Sequence, residues 1–380
     1  MSGSNFTMIR PLDIINALFT SSTITEADYG AYNAGTTYAL GERVILVNPS
    51  STVTITVAAP GVVTWTAHGQ PVGAKIVLST TGALPPGLTA GTIYHIVAVA
   101  ADTFKLSETA GGQPIITTGT QSGTHTATTE LHKIYESLQA GNIGHYPTLA
   151  ASSTWWLDVG ATNRWKMFDT AYNSQSEKAD TIVVVLTPGE VVNSVALLNL
   201  EAASVTVAQT VSGFTRTITL NSHPVLNWYD WYYEELIRES EAVFTNVPPY
   251  ATGVLTITID NTGGTAKIGV LIIGKARELG STQWEPTRTI NDYSVTDEDA
   301  FGNVTLVQRS YSKRLNVEFR VADGAESEVT RLLQEFRATP MVFVGSEDYS
   351  MTIIYGFLGA WEVPISITGK NANLTIKGLI

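Results

Sequence analysis

The feature that most constrains this chain is a two-residue alternation of apolar and polar side chains. In "VLTITID", Leu255, Ile257 and Ile259 alternate with Thr256, Thr258 and Asp260. That spacing sends successive side chains to opposite faces of a strand and buries one face. "RLNVEFRV" repeats it, with Leu315, Val317, Phe319 and Val321 against Arg314, Asn316, Glu318 and Arg320. The 32 glycines, with abundant Thr and Val, favour short strands and many turns over helices. A length of 380 residues exceeds one ordinary domain. The expected fold class is therefore mainly β, as several β-sandwiches.

Texture divides the chain into sections. Residues 1–50 hold a possible short helix, "PLDIINALF", and then "YNAGTTYALGERVILV". Residues 51–129 are almost free of charge and read as strands cut by turns, including "STVTITVAA", "AKIVLSTTG" and "GTIYHIVAVA", the spacing of a small all-β sandwich. Residues 130–154 change character, beginning "LHKIYESLQAGNIGHYP". From 155 to 275 strands return, with "DNTGGTA" as a Gly-rich hairpin turn after "VLTITID". In 276–380 strands surround one clear helix, "DGAESEVTRLLQEFRATP". Asp323 and Glu326 form a capping box for it. Val329, Leu332, Leu333 and Phe336 make its apolar stripe, and Pro340 stops it.

Several chemistries are disfavoured. A formal charge of −12 argues against a nucleic-acid groove or an anionic membrane surface. Zero cysteines leave no disulfide, thiolate metal site or cysteine nucleophile. The apolar runs "TIVVVL" and "IGVLIIG" are far short of the ~20 residues of a spanning helix, and the N-terminus does not read as a signal peptide. A soluble protein made in a cytoplasm is expected. Six histidines stand singly, in positions that suggest turns and surface, and no zinc, nucleophile-elbow or phosphate-loop motif occurs. "DEDAFGN" fails as a calcium loop at Phe301 and Gln308 and reads instead as a hairpin tip carrying Asp297, Glu298 and Asp299. Glu234, Glu235, Glu239 and Glu241 read as a solvated face rather than a paired acid and base. No catalytic, cofactor-binding or metal-ligating residue is assigned, and an enzyme is not expected.

One stretch concentrates aromatics: "NWYDWYYEE", with Trp228, Tyr229, Trp231, Tyr232 and Tyr233. It is either a platform on which a sugar stacks or a piece of core and subunit interface. Five rings exceed what one sugar satisfies, which favours core and interface.

Four resemblances organise these sections. "YNAGTTYALGERVILV" and "LHKIYESLQAGNIG" resemble the two halves of small chitin-binding-type modules, here separated by an insert at 51–129 that resembles Ig-like decorations of phage structural proteins. The positions where that family stacks sugar are Glu136, Ser137 and Leu138, so the resemblance implies the fold without the platform; Trp155 and Trp156 close the module. Residues 155–275 resemble galactose-binding-like jelly rolls. The section 276–380, through "IGKARELGSTQWEPTRTINDYS", "DAFGNVTLVQRSYSKRLNVEF" and "YGFLGAWEVPI", resembles a family of tailed-bacteriophage tail-tip or baseplate proteins and their ring-forming domains. The resemblance implies a structural virion protein in the tail, made in the host cytoplasm. Its partners would be other tail or baseplate proteins and copies of itself in a ring. The alternative it leaves open is a receptor-binding protein that grips a host-surface glycan.

Overall fold

The computed structural model describes residues 5–220, 227–233, 238–283, 286–298, 301–302, 304–322, 324–337, 339–346, 349–362 and 371–379. The chain is mainly β and divides into two compact units: residues 1–14, 18–24 and 166–380 form one, and residues 15–17 and 25–165 the other.

In the second unit, Arg43–Val47 pairs antiparallel with His132–Ser137, which in turn pairs with Trp156–Ala161. Segments that flank the insert thus meet in one three-stranded sheet. Its small core is aromatic: Tyr38, Tyr135 and Trp156 are buried with Val44 and Leu46, and Trp156 Nε1 donates to the His145 carbonyl at 2.7 Å. Between these flanks, the strands from Ser50 to Thr129 close into a six-stranded barrel around Ile76, Leu78, Ile96, Phe104 and Leu106. Closure replaces the two facing sheets expected of an Ig-like sandwich. The Ser50–Ile55 and Lys75–Thr80 strands both pair with His125–Thr129, which removes the open edges of the sheet.

In the first unit a 28-residue strand, Leu255–Thr282, runs past the boundary expected at 275. "DNTGGTA" does not reverse it. Ser176–Leu186 pairs with the strand both before and after the interruption, and between Thr181 and Ala179 the long strand advances from Asp260 to Thr265. The extra residues are absorbed as a bulge, with Gly263 at φ 84 and Asp180 at φ 63 facing each other, joined from Gly263 N–H to Asp180 Oδ1. The expected helix near residue 11 is absent as well. Asn5–Pro11 is a strand that pairs with Leu255–Thr282 on one side and Met341–Val344 on the other. Gly274 allows that approach, because a Cβ there would collide with the Arg10 carbonyl oxygen.

Alternation builds three cores here. Ile257, Ile259, Val205, Val207, Ile182 and Val184 share one cluster. Leu315, Val317, Phe319 and Val321 share another with Phe6, Met8, Leu374 and Ile376. Ser194–Glu201 is buried on both faces, so Ala196 and Leu198 join Val342, Val344 and Ile353 in a third. The third core fuses the expected jelly roll and C-terminal domain.

Helix α1 spans Trp228–Tyr233 and α2 spans Glu326–Glu335. In α2, Val329 and Leu333 are buried, and Arg331 meets Glu335 at 3.6 Å on the exposed face. Its N-cap is Ala325, which has no side-chain cap; Asp323 lies outside the described residues.

Candidate functional site

The expected hairpin around "DEDAFGN" is present as a two-stranded ribbon. Thr287–Asp292 pairs with Tyr311–Arg320 at the margin of the large sheet, and Val295–Glu298 pairs with Val304–Val307 beyond it. Asp292 pairs with Tyr311 and Val295 with Val307, so one strand spends an extra residue between those pairs, a bulge at the root. Past that root the ribbon extends by roughly 20 Å at ~3.3 Å per residue. Every residue of its two outer strands is exposed.

Cross-strand partners share a face, which sorts the side chains. Val295, Val307, Asp297 and Thr305 lie on one face, and Thr296, Leu306, Glu298 and Val304 on the other. Apolar side chains therefore occur on both faces, with Leu306 74% and Val304 56% exposed. Asp297 and Glu298 stand near the tip, followed by Phe301; Asp299 lies outside the described residues. Tyr293 and Arg309 stand at the root, where Ser294 Oγ accepts from the Arg309 backbone N–H at 3.0 Å.

The aromatic stretch forms α1, in the connection between Phe214–Thr219 and Glu241–Phe244. The rings described are not core. Trp228 and Tyr233 are each 77% exposed, and Tyr229 and Tyr232 are also exposed. Helical spacing pairs them instead: Trp228 stacks with Tyr232 at 6.4 Å and Tyr229 lies 5.0 Å from Tyr233. The Trp231 side chain lies outside the described residues, as do Glu234 and Glu235.

At the module positions, Glu136 pairs with Arg43 at 2.7 Å, Ser137 is buried, and Leu138 is exposed. Trp155 stacks on His145 with centroids 4.0 Å apart. The expectation of surface histidines fails at three places. His68 and His125 are buried; the His68 ring meets the Ala100 carbonyl and the Gln70 backbone N–H, and the His125 ring meets Thr80 and Gln121. His132 lies between Glu26, 2.7 Å from Nδ1, and Asn16, 3.1 Å from Nε2, with its ring stacked on Trp165 at 3.8 Å. Burial pushes the Glu26 carboxyl up. Hydrogen bonds from His132 and Thr162, and the charges of His132 and Arg164, outweigh that and hold it below its ordinary 4.5.

A second polar cluster lies in the first unit. Lys313 Nζ bonds Glu241 Oε1 and reaches Tyr172 Oη at 2.7 Å, and Tyr172 Oη lies 3.1 Å from the same Glu241 oxygen. Glu241 is thus a buried partner and not part of the solvated face expected for it. Burial lowers the Lys313 pKa against the pull of Glu241, and burial, then the Glu241 charge, raises the Tyr172 phenol. These residues are 72 and 141 positions from Lys313, so no local pattern announces them.

A cleft of about 440 Å³ in the second unit is lined by Gln70, Thr129, Glu130, Lys133, Trp156 and Asp158 among others. Lys133 is already paired with Asp158 at 2.8 Å, and the unpartnered Gln70 Oε1 and Thr129 Oγ1 are sealed from solvent, beyond reach of a bound molecule. Among the described residues, no group of three or more His, Asp or Glu is placed to hold a metal ion, and no helix is long and apolar enough to cross a membrane. No family model, curated protein or solved structure matches the chain.

Proposed function

We propose that this chain is a non-enzymatic structural component of a tailed-bacteriophage tail tip or baseplate, resident in the virion and made in the host cytoplasm. It assembles there with other virion proteins and with copies of itself in a ring. The observation that supports an assembly role is the ribbon, whose two outer strands are exposed throughout and carry apolar side chains on both faces. An isolated two-stranded hairpin is at best marginally stable in water. A second molecule that covers it removes that apolar area from solvent and supplies the missing stability. The link to a phage tail rests on the sequence resemblance of residues 276–380. Changing Asp297, Glu298 and Asp299 together to Lys leaves the fold intact, since the described part of the tip is solvated, and lowers incorporation into particles. Mass spectrometry of purified virions reads this, and normal incorporation contradicts the assembly role.

A second reading, a tail protein that grips a host-surface glycan, draws support from α1. Its exposed rings present the open faces that stacking on a sugar needs. Binding on a glycan array that disappears in a folded Trp228→Ala variant favours this reading, and an array without signal counts against it.

A further inference from the structure

The ribbon also carries an order of charge along its length. Starting from the Val295–Val307 pair, Asp297 lies two positions toward the tip and Arg309 two positions toward the root. Both charged residues are exposed. Two positions in a strand correspond to about 7 Å, so Asp297 stands about that far tipward of the apolar centre, and Arg309 stands on its rootward side, just past the end of the Val304–Val307 strand. Such an arrangement is complementary to itself when turned end for end.

We propose that the partner of the ribbon is the ribbon of a second copy of this chain, laid antiparallel about a two-fold axis through the Val295–Val307 pair. The inference rests on the reading of the ribbon as an assembly contact and names its occupant. In this arrangement Val295 and Val307 of one copy cover those of the other. Asp297 at each tip meets Arg309 at the opposite root, twice over, because an isologous contact repeats each interaction. Parallel stacking would instead set acid beside acid and base beside base, which charge disfavours. The face with Leu306 and Val304 stays open to a different neighbour, and ring closure uses another surface. A contact made by ribbons alone falls below the ~1,200 Å² of a standard interface, so the pair is weak and sensitive to salt.

The absence of native cysteine gives a clean trap. Val307→Cys, near the axis, forms a disulfide between copies under mild oxidation, whereas Thr289→Cys, at the base of the same ribbon, does not. In the Val307→Cys background, reversing the tip (Asp297→Lys) or the root (Arg309→Glu) lowers the trapped yield about tenfold or more. Mixing the tip-reversed and root-reversed proteins restores trapping as a mixed dimer, since each new Lys then faces a new Glu. A Val307→Cys yield no greater than that of Thr289→Cys, or equal trapping of the reversed and mixed samples, overturns the proposal. If particles still reject the triple-Lys tip while trapping ignores charge, the ribbon is an assembly contact with some other molecule and only the self-pairing fails.

Discussion

The strand Tyr311–Arg320 and the ribbon that runs into it belong to one continuous stretch, yet they treat apolar residues in opposite ways. In the strand, Leu315, Val317 and Phe319 fall on one parity and are all buried, while Glu318 and Arg320 stay wet. In the ribbon, Val304 and Leu306 share a parity but Val307 takes the other, and none is buried. A sheet with cover on one side needs one apolar face. A ribbon with apolar residues on both faces has no use for them within its own chain. On the proposed assembly role, the change in parity separates sequence that folds on itself from sequence that meets a neighbour.

The largest expected effect breaks the buried half of this comparison. Phe319→Ala leaves a cavity beside Phe6, whose ring lies 5.0 Å away, and is expected to cost ~3–5 kcal/mol in denaturant unfolding. Leu306→Ala in the unassembled chain should change the same measurement by no more than about 0.5 kcal/mol. A comparable loss at both positions would mean that the ribbon is part of the core.

Next in size is the junction itself. Lys313 pairs with Ile290 of the ribbon's first strand and is tied to Glu241. Lys313→Met alone strands the Glu241 carboxylate and costs about 3 kcal/mol; adding Glu241→Leu restores most of it. A double variant no more stable than the single would show that the charges are not a coupled pair.

A smaller effect sharpens the contrast by staying away from the ribbon. Glu26 is held below its ordinary 4.5, so the folded state binds its proton less readily than the unfolded chain does. The stability it contributes is complete above that value and is lost as the pH falls through its lower, folded pKa. Glu26→Gln should flatten this acid limb in the unfolding of the second unit and leave exchange in the ribbon unchanged. The smallest expected effect is at α1, where Trp228→Ala and Tyr232→Ala in the free chain should each shift stability by no more than about 0.5 kcal/mol, since their rings are solvated.

Much of the architecture could be read locally. "VLTITID" and "RLNVEFRV" are strands with the expected buried faces, "ESEVTRLLQE" is the helix, and the acidic turn joins two strands. Failures came where partners are distant in sequence. Each residue of "NFTMIRP" lies more than 260 positions before its partner in Leu255–Thr282, so its place beside that strand leaves no local trace. Two glycines in "DNTGGTA" resemble a reversal, and only the shared partner Ser176–Leu186 reveals that the strand continues. Barrel closure depends on which strand meets the last, and alternation does not encode that. At the candidate site, the tip and the strands that flank it are legible as hairpin chemistry, but the apolar residues of "VTLV" fit no single face, so their full exposure is not. The aromatic stretch reads in part as core because aromatic payload usually is buried; a helix with Trp228, Tyr229, Tyr232 and Tyr233 in solvent runs against that tendency.

Hydrogen–deuterium exchange across residues 293–307, followed as protein concentration rises and then in assembled particles, shows whether the ribbon is covered on assembly. Rapid exchange is expected in the dilute chain, because few contacts protect an exposed ribbon, and growing protection as copies associate. The Tyr311–Arg320 strand should be protected throughout. Exchange in the ribbon that stays equally fast in dilute, concentrated and assembled samples would contradict the proposed assembly contact.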